Sequence, residues 1–191
     1  MHRPILIAAA AALVLAGCGP APGEGEQALK AAGPQPSLTV AAAAPAGPAT
    51  AEGFIARVSA GNVFEMEAGQ AALSKAADPR VKAFAQTMID AHAASAADLQ
   101  KAIAASGLAV MPVKAQTPAV IKRLDEVNLA KTEVFDKTYL RTQVIAHEQA
   151  LEVLRRYAEA GEVKPLKDFA AKAAPAAAER QAMAERLAAS L

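Results

Sequence analysis

The chain of 191 residues has one cysteine, no tryptophan and an aromatic content of only 4%. A single cysteine excludes an intramolecular disulfide bond. The scarcity of aromatic side chains disfavours a sugar-binding platform and an all-β sandwich, and no aromatic residues are interleaved with a basic patch as in single-strand binders. The formal net charge of +1 gives no basic excess that would attract nucleic acid. We therefore expect no nucleic acid among the partners.

Long hydrophobic runs are also missing. The apolar segment Ile5–Leu15 has about 11 residues, whereas a helix that crosses a bilayer needs about 20. It follows the basic start His2-Arg3 and leads into Leu15-Ala16-Gly17-Cys18. Such an order is typical of a secretory signal peptide, and the last four residues resemble the bacterial lipobox. The alternative is an ordinary secreted protein with a chance cysteine.

The lipobox resemblance predicts a signal peptide over residues 1–17 and a lipidated Cys18 at the new N-terminus. Several acyl chains, palmitate among them, would anchor the protein permanently, because each buried methylene contributes about 0.8 kcal/mol. Gly19 follows the cysteine in place of the aspartate that retains lipoproteins in the inner membrane in the best-studied sorting system. We therefore expect a protein that is lipid-anchored in the outer membrane of the cell envelope and faces the periplasm.

Composition divides the remaining chain into a linker and one domain. Residues 18–51 are mostly Pro, Ala and Gly, and such a segment buries too little apolar surface to offset the entropy of ordering it. We interpret it as a disordered tether. Residues 52–191 have the length of one ordinary domain.

Apolar residues in that domain recur at helical spacing. Asp78 before Pro79 predicts a helix N-terminus, and Pro175 predicts a kink in the last helix. The predicted helices cover about 51–76, 79–105, a short 118–128, Thr132 to Gly161, and Pro165 to the C-terminus. Two hairpins joined by a longer crossover favour an all-α four-helix bundle of ferritin-like connectivity with an extra short helix in the crossover. An up-and-down bundle is the alternative.

Short motifs in a fixed order connect the domain with a known family. They are Glu67-Ala68-Gly69, Pro79-x-Val81-Lys82-x-Phe84-Ala85, Met88-Ile89-Asp90-Ala91-His92, Phe135-Asp136-x3-Leu140, His147-Glu148 and Leu166-Lys167-x-Phe169-Ala170 with Pro175. Together they resemble the bacterial domain-of-unknown-function 4142 family over nearly all of residues 52–191. The resemblance implies a ferritin-like bundle in a secreted or outer-membrane protein, often a lipoprotein, and it implies no particular reaction.

Two histidines are the strongest candidates for a functional site. His92 and His147 lie on the inward stripes of the second and third long helices, four residues from Met88 and Leu151 respectively. Both would therefore point to the bundle centre. The nearby carboxylates, from which a buried polar site or a metal site could be completed, are Asp90, Glu148 and either Glu67 or Glu65 of the first helix.

The spacing argues against a di-iron centre. A carboxylate-bridged pair of irons needs Glu three residues before His on two helices, and Ile89 and Val144 occupy those positions. Arg180 stands where relatives commonly carry a third histidine, and a guanidinium cannot bind metal. We therefore favour a cofactor-free pair, hydrogen-bonded to a carboxylate of the first helix or to Tyr139. A ferritin-like metal-binding protein or oxidase with iron, zinc or copper is the alternative.

No catalytic pattern accompanies these residues. The chain has no nucleophile elbow and no glycine-rich phosphate loop between a strand and a helix. The leading hypothesis is a non-enzymatic envelope lipoprotein that acts on an envelope protein partner.

Overall fold

The computed structural model describes residues 50–112 and 116–191, and every regular element in these two ranges is a helix. A 3-10 turn, Thr132–Val134, precedes the fourth helix. The expected all-α bundle is thereby confirmed, and so is the short helix in the connection. The signal peptide, Cys18 and nearly all of the linker lie outside the described residues. The helices are α1 (Ala51–Lys75), α2 (Pro79–Ser106), α3 (Pro118–Asn128), α4 (Phe135–Ala160) and α5 (Lys164–Ala189).

Side-chain caps and one glycine explain where the first two helices begin and end. Thr50 accepts a hydrogen bond from the Gly53 amide at 3.1 Å, and Asp78 accepts one from the Arg80 amide at 2.7 Å. Each bond satisfies an N–H group that has no partner inside the helix. Helix α2 stops at Gly107, whose φ of 69° lies in the left-handed region that glycine adopts without strain.

The connections and contacts define the topology. Residues 76–78 join α1 to α2 and residues 161–163 join α4 to α5, so each pair forms an antiparallel hairpin. Helix α2 packs on α5, and α1 packs on α4. The order around the bundle is therefore α1, α2, α5, α4, and the connection from α2 to α4 crosses between opposite corners. An up-and-down bundle would instead place α2 beside α4.

Helices α3 and α5 complete the bundle. Helix α3 lies within the crossover and packs against α1 and α4, so it covers one side of the bundle. Helix α5 continues through Pro175 as a single helix.

The buried interior has three levels. At one end is the Phe135 cluster, whose largest members are Phe64, Phe84, Met88, Phe135 and Tyr139. At the other end is the Phe54 cluster, whose largest members are Phe54, Leu99, Tyr157, Leu166 and Phe169. Between them all four long helices place polar residues at the same level. We call this the polar layer, and its buried members are Asn62, Glu65, His92, Gln143 and His147.

A close approach between α1 and α2 fixes their relative position. Gly69 faces α2 so tightly that a Cβ atom there would lie 2.7 Å from Ile89 Cγ1 and 3.2 Å from the Ala85 carbonyl oxygen. Only glycine allows the two backbones to approach this closely. This contact lies about one helical turn from Glu65 on α1.

Candidate functional site

Three ionisable side chains from three helices meet in the polar layer. Glu65 of α1 is 3% exposed, His92 of α2 is 9% exposed and His147 of α4 is 1% exposed. One potential ligand atom from each residue lies within 4.8 Å of the other two. The two imidazole rings have centroids 5.6 Å apart, and His147 Nδ1 is 3.9 Å from Glu65 Oε1.

Hydrogen bonds orient both imidazole rings. His92 Nδ1 is 3.0 Å from Asn62 Oδ1, and His147 Nδ1 is 2.9 Å from the backbone oxygen of Gln143. Because a carbonyl oxygen only accepts, Nδ1 carries the proton in each neutral ring, and the lone pair is on Nε2. The expected pair is thus buried, but Asn62 and a backbone carbonyl hold it in place of a carboxylate or Tyr139.

One polar atom of each of the three side chains has no partner. Within the described ranges no hydrogen bond reaches His92 Nε2, His147 Nε2 or Glu65 Oε2. Buried polar atoms are normally paired, and an unpaired one calls for an explanation. Here three of them belong to residues that form one cluster.

Burial changes the protonation of the carboxyl group. It raises the pKa of Glu65 from 4.5 to about 8, and the nearby Gln143 amide and the charges of Arg123 and Arg180 oppose this rise. The Gln143 side-chain amide approaches the carboxyl without reaching normal hydrogen-bond geometry. At neutral pH Glu65 is therefore mostly protonated.

Burial shifts the pKa values of the two histidines in the opposite direction, downward. Burial lowers the pKa of His92 to about 3, and the charges of His147 and Arg180 add to this effect. Burial also lowers the pKa of His147 to about 4, although its hydrogen bond to Gln143 opposes the change. Both rings are neutral at pH 7, with a lone pair available on each.

The cluster lies at the floor of a cavity of about 570 Å³. Exposed Pro118 and Gln149 stand at its mouth, beside α3 and α4. The cavity is of the size that usually holds a small molecule. Apolar side chains form most of its walls, with Phe64, Val120, Val153, Leu154 and Phe169 as the largest.

Three of the residues predicted from the sequence lie outside the cluster, which is a correction. Glu67 and Glu148 are exposed, as is Asp90. The Glu67 carboxylate accepts a hydrogen bond from Gln116, and that of Asp90 accepts one from Gln86 at 2.9 Å. The reason is helical geometry: Glu67 and Asp90 stand two positions from a member of the cluster, about 200° around the helix, and Glu148 stands one position from His147, about 100° around.

Asn62 and Gln143 were not expected in the site, and Glu65 was named only as the alternative to Glu67. A periodicity signal exists for each of them. Asn62 and Glu65 are three residues apart, and Gln143 is four residues before His147, so each pair shares one helix face.

The fold and the site define an all-α bundle with a buried cluster of two histidines and one carboxyl group. The chain matches the family described as "Domain of unknown function (DUF4142)" over residues 36–187. It belongs to this family. Neither the curated proteins nor the solved structures contain a match. In the described part of the chain, no helix is both long and apolar enough to cross a membrane.

Proposed function

We propose that the bundle binds one divalent transition metal ion through Glu65, His92 and His147. The observation that carries this proposal is the convergence of three buried side chains, each of which has a potential ligand atom within 4.8 Å of the other two and one polar atom without a partner. An unsatisfied buried polar group destabilises a protein by about 1 to 3 kcal/mol. A bound cation would satisfy all three groups at once.

The ligand types narrow the choice of ion. Two imidazoles and one carboxylate suit zinc in open sites and ferrous iron in non-haem centres. Both kinds of centre leave a coordination position free, and all three side chains line the cavity. A polarising Lewis acid is the chemistry that such an ion would supply. The cluster offers ligands for one ion and lacks the additional glutamates of a di-iron centre.

The orientation of the histidines also supports the proposal. Metal-binding histidines usually donate their second ring N–H to a carbonyl or carboxylate, which fixes the tautomer and aims the free nitrogen. His92 and His147 both have this arrangement. A histidine that served only to fill the core would not need a fixed tautomer with an unpartnered Nε2.

Arg180 opposes cation binding, because its charge lowers the pKa of both histidines. The guanidinium is half-buried beside the cavity. Replacing it with glutamine should therefore tighten metal binding. This expectation separates a metal site from a general polar cluster.

Titration of chelator-treated protein with Zn²⁺, followed by calorimetry, tests the proposal. We expect stoichiometric binding, a loss of at least about 10-fold in affinity for Glu65→Gln and no change for Glu67→Gln. The second variant is a matched control, because it alters the same group on the same helix outside the cluster. Absence of Zn²⁺, Fe²⁺ and Cu²⁺ binding by folded protein, or equal affinities of the two variants, would disprove the metal site.

The location of the domain is a separate proposal. We propose that Cys18 is lipidated and anchors the bundle in the outer membrane through the linker 18–51, which the lipobox-like sequence before Cys18 supports. Cys18→Ala should move the protein from the membrane fraction to the soluble periplasm without loss of helicity. A variant that still sediments with membranes would contradict the anchor. Interaction with an envelope protein partner stays a prediction.

A further inference from the structure

The cavity has a strong imbalance of charge. Three arginines line it, Arg57, Arg123 and Arg180, whereas Glu65 is its one acidic residue. The cavity is therefore positive although the chain as a whole is almost neutral.

Arg123 and Arg180 differ in the hydrogen bonds and ring contacts that they form within the protein. Arg123 donates a hydrogen bond to Gln149 at 2.6 Å and lies over the Phe64 ring at 5.2 Å. Arg180 has no hydrogen bond and no ion pair with any residue of the described ranges, yet it is half-buried. The charges of Glu65 and Glu179 act on it from beyond ion-pair distance. An anion would supply the missing partner.

The apolar walls of the cavity indicate which groups the ligand has besides its negative charge. Besides the larger apolar residues, alanines from four helices line the space, among them Ala60, Ala150 and Ala177. Small side chains leave the volume empty, and apolar walls favour a ligand that buries methylene groups. A small inorganic anion would leave most of this surface in contact with water.

We propose that the cavity binds an amphipathic carboxylate, whose carboxylate pairs with Arg180 and whose apolar chain lies along the alanine-lined walls of α1, α4 and α5. The ligand is a single released molecule, because the cavity floor is buried beneath α3 and α4 and a bilayer surface cannot reach it. This site does not depend on the proposed metal ion. The half-buried, unpaired Arg180 and the apolar walls carry this proposal, whereas the two histidines belong to the proposed metal site.

Dodecanoate is a suitable probe, and its binding should be measured by calorimetry on the full chain in the presence of chelator, so that metal binding has no influence. We expect saturable binding with one site and at least 10-fold weaker binding of the uncharged dodecanol. Arg180→Gln should abolish the preference for dodecanoate over dodecanol. Arg186→Gln changes an exposed arginine of the same helix outside the cavity and should leave both affinities unchanged.

Ala150→Leu tests the apolar walls separately. Ala150 lines the cavity from α4 and is half-buried, so a larger side chain can be accommodated only by filling the space. This variant should weaken dodecanoate and dodecanol equally, by at least 10-fold. Its circular dichroism and that of Arg180→Gln should match the parent protein.

Three outcomes would overturn the proposal. They are no saturable dodecanoate binding by the folded parent protein, equal losses for Arg180→Gln and Arg186→Gln, and sedimentation with phosphatidylglycerol vesicles in place of binding to free dodecanoate. A failed metal titration with intact dodecanoate binding would affect only the proposed function. Conversely, Zn²⁺ binding without dodecanoate binding would leave the metal site intact.

Discussion

The Phe54 cluster and the polar layer occupy neighbouring levels of the same four helices but are built in opposite ways. In the Phe54 cluster the ring of Phe54 stacks on Tyr157 with centroids 4.0 Å apart and meets Phe169 edge-on at 6.2 Å. The polar layer instead contains three ionisable groups with unpartnered atoms beside a cavity. The difference indicates that the apolar ends of the bundle stabilise the fold, whereas the unpaired polar atoms of the middle lower its stability.

The largest effect is expected from the apolar end. Phe54→Ala removes a fully buried ring and its stacking contact, and should lower the free energy of unfolding by about 3 to 5 kcal/mol. Urea unfolding measures this change. Glu52→Gln, at an exposed position two residues earlier, serves as the control. A loss below about 1 kcal/mol would mean that this cluster does not carry the stability assigned to it.

Replacement in the polar layer should have the opposite sign. Glu65→Met removes a buried carboxyl group and retains its bulk, so at pH 8 we expect the metal-free protein to gain about 1 to 4 kcal/mol of stability. Thermal and urea unfolding in the presence of chelator provide the measurement. Glu67→Met changes an exposed carboxylate and should have almost no effect. Destabilisation by Glu65→Met would show that the carboxyl group stabilises the fold.

The two histidines should show an intermediate effect that is not additive. His92→Ala leaves Asn62 Oδ1 without its partner, and each truncation should destabilise the metal-free protein by about 1 to 3 kcal/mol. The rings touch edge to face, so the double variant should lose less than the sum of the single losses. A double-mutant cycle by urea unfolding tests this. Additive losses near zero would indicate that the rings contribute no shared packing.

The smallest effect is a pH dependence that isolates Glu65. Its folded pKa of about 8 lies above the usual value of 4.5, so its contribution to stability is complete below pH 4.5 and is lost as the pH rises through 8. His92 and His147, with folded pKa values of about 3 and 4, behave oppositely, since their contribution is complete above about 6.5 and is lost as the pH falls.

Between about pH 6.5 and 8 only Glu65 among these three should therefore change stability, by a loss of about 1 to 2 kcal/mol. Urea unfolding of the chelator-treated protein at several pH values measures this slope. Glu65→Gln should remove it, whereas Glu67→Gln should retain it. A slope shared by parent and Glu65→Gln would assign the effect to other groups.

Much of the fold could be predicted from the sequence because it depends on local signals. The pair Asp78-Pro79 and the stop at Gly107 act within one helical turn, and the predicted helix limits differ from the observed ones by only a few residues. Inward placement of His92 and His147 followed from apolar periodicity, which packing enforces. The choice between Glu65 and Glu67 depended on the rotation of α1 about its axis, and the apolar stripe of that helix is too diffuse to define it.

The cavity could not be predicted from the sequence because it is the space between the helices that small side chains leave empty. Alanine has high helix propensity, so the many alanines predict helices. They do not indicate how much empty volume remains between those helices. Whether Ala60, Ala150 and Ala177 face one another across an empty space depends on the distances between helices. The crossover also matters, since it brings α3 over the side of the bundle.

The contact at Gly69 has a consequence for binding thermodynamics. Because a Cβ atom at Gly69 would clash with the Ile89 side chain and crowd the Ala85 carbonyl oxygen, the close packing of α1 on α2 at this point sets the relative heights of Glu65 and His92. The conformational entropy needed to bring these two groups together is therefore lost when the chain folds, before any ligand arrives. Such preorganisation would let a site with only three side chains bind selectively without rearrangement of the helices.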